Sequence, residues 1–125
     1  MTSVFDAGPF ASCPAPFNMA AHVLDAGRGV PSKDALLVVG DAQVERWSYA
    51  DIRRAVLGTA TGLLRCGLTA GDLVLMRLGN TVDFPVAYLG ALAAGMVPVP
   101  TSSALTERET AYIIDLLEPK AVLHA

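Results

Sequence analysis

The sequence predicts an α/β fold: a partial, mostly parallel sheet with flanking helices. Three observations carry that expectation. Short apolar runs alternate with amphipathic stretches along most of the chain. The amphipathic stretches open on Asn, Ser or Thr and close on Gly or before Pro, the local chemistry of helix ends. Hydrophobic residues make up 53% of the 125 and charged residues 17%, which argues against disorder and for elements buried on both faces.

Residues 1–17 hold Pro9, Pro14 and Pro16 and read as an irregular N-terminal arm, and residues 18–125 read as an incomplete α/β unit. Asn18 can cap a short helix through Ala26, with Phe17 as a hydrophobic staple and Gly27 as the stop. Pro31 and Ser32 mark a loop. Ala35 to Val39 and Val44 to Trp47 are short apolar-rich runs joined through Gly40-Asp41, a hairpin pattern. Ser48, followed three residues later by Asp51, forms a shorter-armed capping box. The helix it opens should turn Ile52, Val56, Ala60, Leu63 and Leu64 inward, leave Arg53, Arg54 and Arg65 elsewhere, and stop at Gly67.

Thr69-Ala70-Gly71-Asp72 reads as a turn and Leu73 to Leu78 as a strand apolar enough for a sheet interior. Asn80 or Thr81 can cap the next helix, with Pro85 in its tolerant first turn. Ala87, Gly90, Ala91, Ala93 and Ala94 are small enough to let that helix lie close against a sheet, and Gly95 should end it. Met96 to Val99 reads as a buried strand. Thr106 and Glu109 form a full capping box, opening a helix with Ala111, Ile114 and Leu117 inward that stops before Pro119. Ala121 to Leu123 begins another strand. Strand, helix, strand, helix, strand is the α/β order, and the sheet is expected to continue into further chain.

The composition narrows the function classes. Net charge is −3, and Lys33, Arg53, Arg54, Arg65, Arg77 and Lys120 are scattered among acids, so no nucleic-acid partner is expected. The apolar run Phe84 to Pro100 is shorter than a membrane span and broken by Pro85, Gly95, Pro98 and Pro100, so no membrane partner is expected either. The first residues lack a positive segment ahead of an apolar core, and a cytoplasmic protein is expected. Cys13 and Cys66 leave both a disulfide and two thiols open, and their unlike settings favour thiols.

The sequence carries few of the motifs that chemistry requires. There is no G-x-x-x-x-G-K-[ST] phosphate loop, and Gly27-Arg28-Gly29 lacks the third glycine and the preceding strand of a dinucleotide fingerprint. His22 and His124 with Cys13 and Cys66 have no metal-ligand spacing. No G-x-S-x-G elbow occurs, Ser102 and Ser103 suit a turn, and Asp83 suits a helix start. No residue is assigned a catalytic, cofactor-binding or metal-binding role.

An ordered series of segments nevertheless resembles the opening of the adenylate-forming enzymes, the AMP-dependent synthetases and ligases. Trp47-Ser48-Tyr49-Ala50-Asp51-Ile52 resembles their early strand-to-helix element, and Gly67-Leu68 with Gly71-Asp72-Leu73-Val74 their "G-D-x-V" step. Asn80 to Phe84, Tyr88 to Val99, and Leu105-Thr106 with Glu109, Tyr112 and Ile113 resemble the segments that follow. Phe17-Asn18-Met19-Ala20, Thr81 to Val86 and Pro98-Val99-Pro100 look most like ligases of benzoate and related aromatic acids.

The resemblance implies an N-terminal structural portion of an AMP-forming acyl-CoA synthetase, inactive alone. ATP, Mg²⁺ and CoA are implied for the parent, with none bound by this portion. The implied partners are the remainder of the ligase and a small carboxylic acid. The reacting residues of the family come later in its order than anything present here. Some relatives place Asn-Pro, and occasionally a basic residue, after the "V-P-V" strand. Thr101-Ser102-Ser103-Ala104 departs from that and puts a CoA contact there in doubt.

The alternative is a self-contained small α/β binding or interaction module without catalysis. A ligase portion should leave an apolar edge or helix face exposed, inviting homo-oligomerisation, whereas a module should close its core. A phospho-acceptor signalling domain would need an acidic pair after its first strand, and Asp41 stands alone there.

Overall fold

The computed structural model describes residues 8, 9 and 12–125, so most of the expected arm over residues 1–17 lies outside the described residues; residues 12–17 form neither helix nor strand. The elements are α1 (Met19–Asp25), β1 (Asp34–Val39), β2 (Val44–Ser48), α2 (Tyr49–Arg65), β3 (Leu73–Arg77), α3 (Asp83–Ala93), β4 (Val97–Pro100), α4 (Glu107–Leu117) and β5 (Ala121–His124). β1 and β2 pair antiparallel with Val39 opposite Val44, the expected hairpin. β3, β4 and β5 form a parallel sheet in the order β4-β3-β5. The fold is α/β, as the pattern predicts.

The pleat explains how that sheet is covered. Val74 and Met76 of β3 pack with Ala87 and Ala91 of α3, Leu63 of α2 and Met96 in the core beneath α3. Leu75 lies between them in sequence and is also fully buried, so it faces the other side. Arg77 and His124 share a cleft with Ile114, which puts α4 over that second face. A second core joins Leu24 of α1 to Ile52 and Val56 of α2, with Trp47 and Leu36 of the hairpin and Val86 of α3 against it.

The caps form where the sequence places them. Asn18 Oδ1 accepts from Ala21 N–H, and its Nδ2 donates to Leu92 O at 2.9 Å, so one side chain starts α1 and ties it to the end of α3. Phe17 lies 5.5 Å from the His22 ring, the position a staple would occupy. Ser48 and Asp51, and Thr106 and Glu109, form both capping boxes. Gly67 and Gly95 take φ of 87° and 76°, as glycines just past helix ends do.

Five expectations need correction. Leu64 is 50% exposed: at 3.6 residues per turn it sits about 100° around the helix from Leu63. Neither Asn80 nor Thr81 caps α3; Val82 holds that position, and Thr81 Oγ1 instead bonds Asp83 two residues on. Gly90 serves a helix rather than the sheet, since a Cβ there would meet Thr59 Cγ2 of α2 at 2.7 Å and Val56 O at 3.3 Å. No residue of α4 is buried, and Ala111 is exposed, because α4 meets only part of the sheet face.

The fifth concerns the last apolar run. β4 is an edge strand, not a buried one, and Val97 is exposed. Val97 N–H donates to Asp72 O at 2.9 Å and Thr101 N–H to Met76 O at 2.8 Å, so alternate residues of β4 face β3. Pro98 and Pro100 therefore turn their donor-less nitrogens away from the sheet, the one place where proline does not break a ladder.

Candidate functional site

In open parallel sheets, ligands bind outside the carboxyl ends of the strands. Here that end gathers Arg77 from β3, Thr101 after β4 and His124 from β5, with Arg77 and His124 as register partners. Arg77 Nη2 donates to Leu105 O at 2.8 Å, and Thr101 Oγ1 donates to Met76 O at 3.0 Å. These bonds tie the loop before α4 to the centre of the sheet. A cleft of about 350 Å³ opens beside them, with Glu107, Thr110 and Val122 also on its wall. Arg77 Nε is buried without a hydrogen-bond partner among the described residues. The arrangement supplies positive charge but no nucleophile paired with a base.

Each residue weighed in the sequence has a local structural partner or stands apart. Ser102 Oγ accepts from Ala104 N–H at 3.2 Å, a turn, and Ser103 is exposed. Asp83 is engaged by Thr81. His22 packs on Phe17 at the opposite end of the chain from His124. Cys13 and Cys66 are exposed free thiols, and Cys66 is the C-cap of α2. Among the described residues, no group of three or more His, Cys, Asp or Glu side chains is placed to hold a metal ion.

Among the described residues, three carboxylates titrate below their ordinary values, and all three do so for local reasons. The Ser48 hydroxyl and then its backbone N–H lower Asp51. The Thr69 backbone N–H, at 2.6 Å, lowers Asp72, helped by the Thr69 hydroxyl and Lys120. The Thr106 backbone N–H and hydroxyl lower Glu109. A carboxylate held ionised by donors in its own turn is a cap, not an acid–base catalyst.

A second cleft, about 500 Å³, lies between the end of α1 and the start of α2. Leu24, Leu57 and the Tyr49 ring line it, and Arg28, Arg53 and Arg54 stand around it. Sequence reading leaves these arginines dispersed, because Arg28 and Arg53 are far apart along the chain. The available signal was the adjacent pair Arg53-Arg54 on the α2 side away from Ile52 and Val56.

Comparison with known proteins gives a consistent family. The family model described as "AMP-binding enzyme" matches residues 20–125. A 4-hydroxybenzoate–CoA/benzoate–CoA ligase of Rhodopseudomonas palustris is 35% identical over 68 residues, 54% of this chain and 13% of that protein. A vibriobactin-specific 2,3-dihydroxybenzoate-AMP ligase of Vibrio cholerae is 31% identical over 90 residues, 72% of this chain and 16% of that one. The crystal structure of a benzoate CoA ligase from Burkholderia xenovorans superposes with a TM-score of 0.79 at 29% identity, covering 86% of this chain and 21% of that one. The chain thus spans well under a quarter of the length of these proteins.

Proposed function

Because the chain belongs to the AMP-binding enzyme family, we propose that it forms the opening scaffold of an AMP-forming carboxylate–CoA ligase. The observation that carries this reading is the family match from residue 20 to residue 125, which takes in nearly every element described above. The reaction has two steps. A carboxylate oxygen attacks the α-phosphorus of ATP and pyrophosphate leaves, giving an acyl-adenylate. The CoA sulfur then attacks the acyl carbonyl, its proton is lost, and AMP leaves. The names of some relatives, a benzoate–CoA ligase and a 2,3-dihydroxybenzoate-AMP ligase, support an aromatic carboxylic acid as the substrate class. Others are named for crotonobetaine/carnitine and for medium/long-chain fatty acids.

The role of this chain in that reaction is positional. β3, β4 and β5 with α2 and α3 supply a rigid layer on which other parts of such an enzyme rest. The described residues do not fit a Mg²⁺ or triphosphate site, having neither a ligand cluster nor a phosphate loop, so no step here runs through them. Exposed apolar side chains support covering by further chain: Val39 is 76% exposed, Tyr112 67% and Leu116 65%. That pattern favours the scaffold reading over a closed binding module. Self-association through these surfaces and a cytoplasmic setting belong to the same proposal; no helix among the described residues is long and apolar enough to cross a membrane.

The test is pyrophosphate release. The gene product in full, given ATP, Mg²⁺, CoA and benzoate or a hydroxylated benzoate, should release pyrophosphate and form the aryl-CoA thioester. Residues 1–125 alone should release none. Turnover by residues 1–125 overturns the scaffold role, and silence of the full product across aromatic and aliphatic acids overturns the ligase reading.

A further inference from the structure

We propose that the cleft between α1 and α2 binds a small amphipathic anion, an aryl or short acyl group bearing a carboxylate or phosphate. The site is separate from the ligase reading, which assigns none of its residues to the reaction. Its volume, about 500 Å³, lies within the usual range of small-molecule sites. Its floor is apolar: Leu24, Leu57 and the face of Tyr49. Gly27 packs against the Tyr49 ring so closely that any side chain there would collide with it, which fixes that wall.

The rim inverts the charge of the molecule. Net charge is −3, yet three of the nine Lys and Arg residues, Arg28, Arg53 and Arg54, meet at this one cleft. Arg53 has no acidic partner among the described residues. Arg28 pairs with Asp25 at 2.5 Å and Arg54 with Asp51 at 2.6 Å, but both pairs are solvent-exposed and so weakly held. An oxyanion can therefore recruit their free N–H groups alongside Arg53, in the forked geometry that guanidinium offers carboxylate and phosphate.

The helix start does not do this work. Tyr49 N–H donates to Lys33 O, Ala50 N–H to Pro31 O, and Asp51 N–H to Ser48 Oγ. With those donors engaged, anion recognition falls to the guanidinium groups and selectivity for an apolar body falls to Leu24, Leu57 and Tyr49.

A site-resolved readout keeps this cleft distinct from any catalytic site. The full gene product is treated with phenylglyoxal, and modification of Arg53 and Arg54 is read peptide by peptide by mass spectrometry. Phenyl phosphate and benzoate should each protect both arginines saturably, and the tighter of the two identifies the preferred head group. Inorganic phosphate and benzyl alcohol, each lacking half of the ligand, should require about tenfold higher concentration. In Arg53→Gln, protection of Arg54 by the better probe should weaken by about tenfold, and Leu57→Asn should weaken it while leaving inorganic phosphate unaffected. Equal protection by inorganic phosphate, or none by either aryl anion, overturns the proposal. So does an unchanged concentration dependence in both variants.

Discussion

α2 and α4 begin with the same device and end in different surroundings. Each opens on a hydroxyl residue that accepts from the N–H three residues on, while a carboxylate reaches back to the first N–H. Yet α2 buries Ile52, Val56, Ala60 and Leu63, and α4 buries nothing completely. The comparison separates two causes that sequence reading merges. A capping box decides where a helix starts, because its bonds lie within one turn. Burial depends on what arrives from elsewhere: α2 is held between α1, the hairpin and α3, while α4 has only one part-covered sheet face.

The strongest way to break this comparison is to remove equal side chains from the two helices. Ile52→Ala should cost about 2–5 kcal/mol in urea denaturation, as expected for a buried Ile. Ile114→Ala, from a half-buried position, should cost about 1 kcal/mol. Equal losses would mean that α4 is packed as firmly as α2. The caps sharpen the contrast from the other side. Ser48→Ala and Thr106→Ala should each cost about 1 kcal/mol, with little difference between them, because capping is local. A Thr106→Ala loss near zero beside a full Ser48→Ala loss would show that α4 frays despite its box.

Acid titration gives the smallest effect. Asp51 and Glu109 both titrate below their ordinary values of 3.8 and 4.5. A folded-state pKa below the unfolded one means stability that is present at neutral pH and lost as pH falls through and below those values. Asp51→Asn and Glu109→Gln should therefore each flatten the loss of stability below about pH 4.5, read as melting temperature against pH. A variant that steepened the acid limb would contradict the assignment.

Most of the element order was legible because its causes are local. Ser48, Thr106, Gly67 and Gly95 each act within a turn, and a turn is visible in sequence. Some departures arise where a distant residue decides. Nothing near Gly90 announces that Thr59 will lie against it, whereas Pro98 and Pro100 are themselves a local sign that β4 is an edge. Thr81 departs from the cap pattern for a local reason: its hydroxyl engages Asp83 two residues away, leaving Val82 to open α3. The family resemblance was legible because it rests on the order of short segments rather than on contacts. The arginine cleft was not, since Arg28 meets Arg53 only after α1 has packed on α2.

Pro98 and Pro100 give the parallel sheet a handedness of growth. Along its outer rim β4 presents carbonyl oxygens at these two residues and no N–H beside them. A newcomer strand would find acceptors there but nothing that donates back, so only half a ladder could form. β5, on the other flank, carries no proline within Ala121–His124 and keeps both kinds of group. Two copies of this chain cannot zip together through β4, and any strand that enlarges the sheet has one flank open to it.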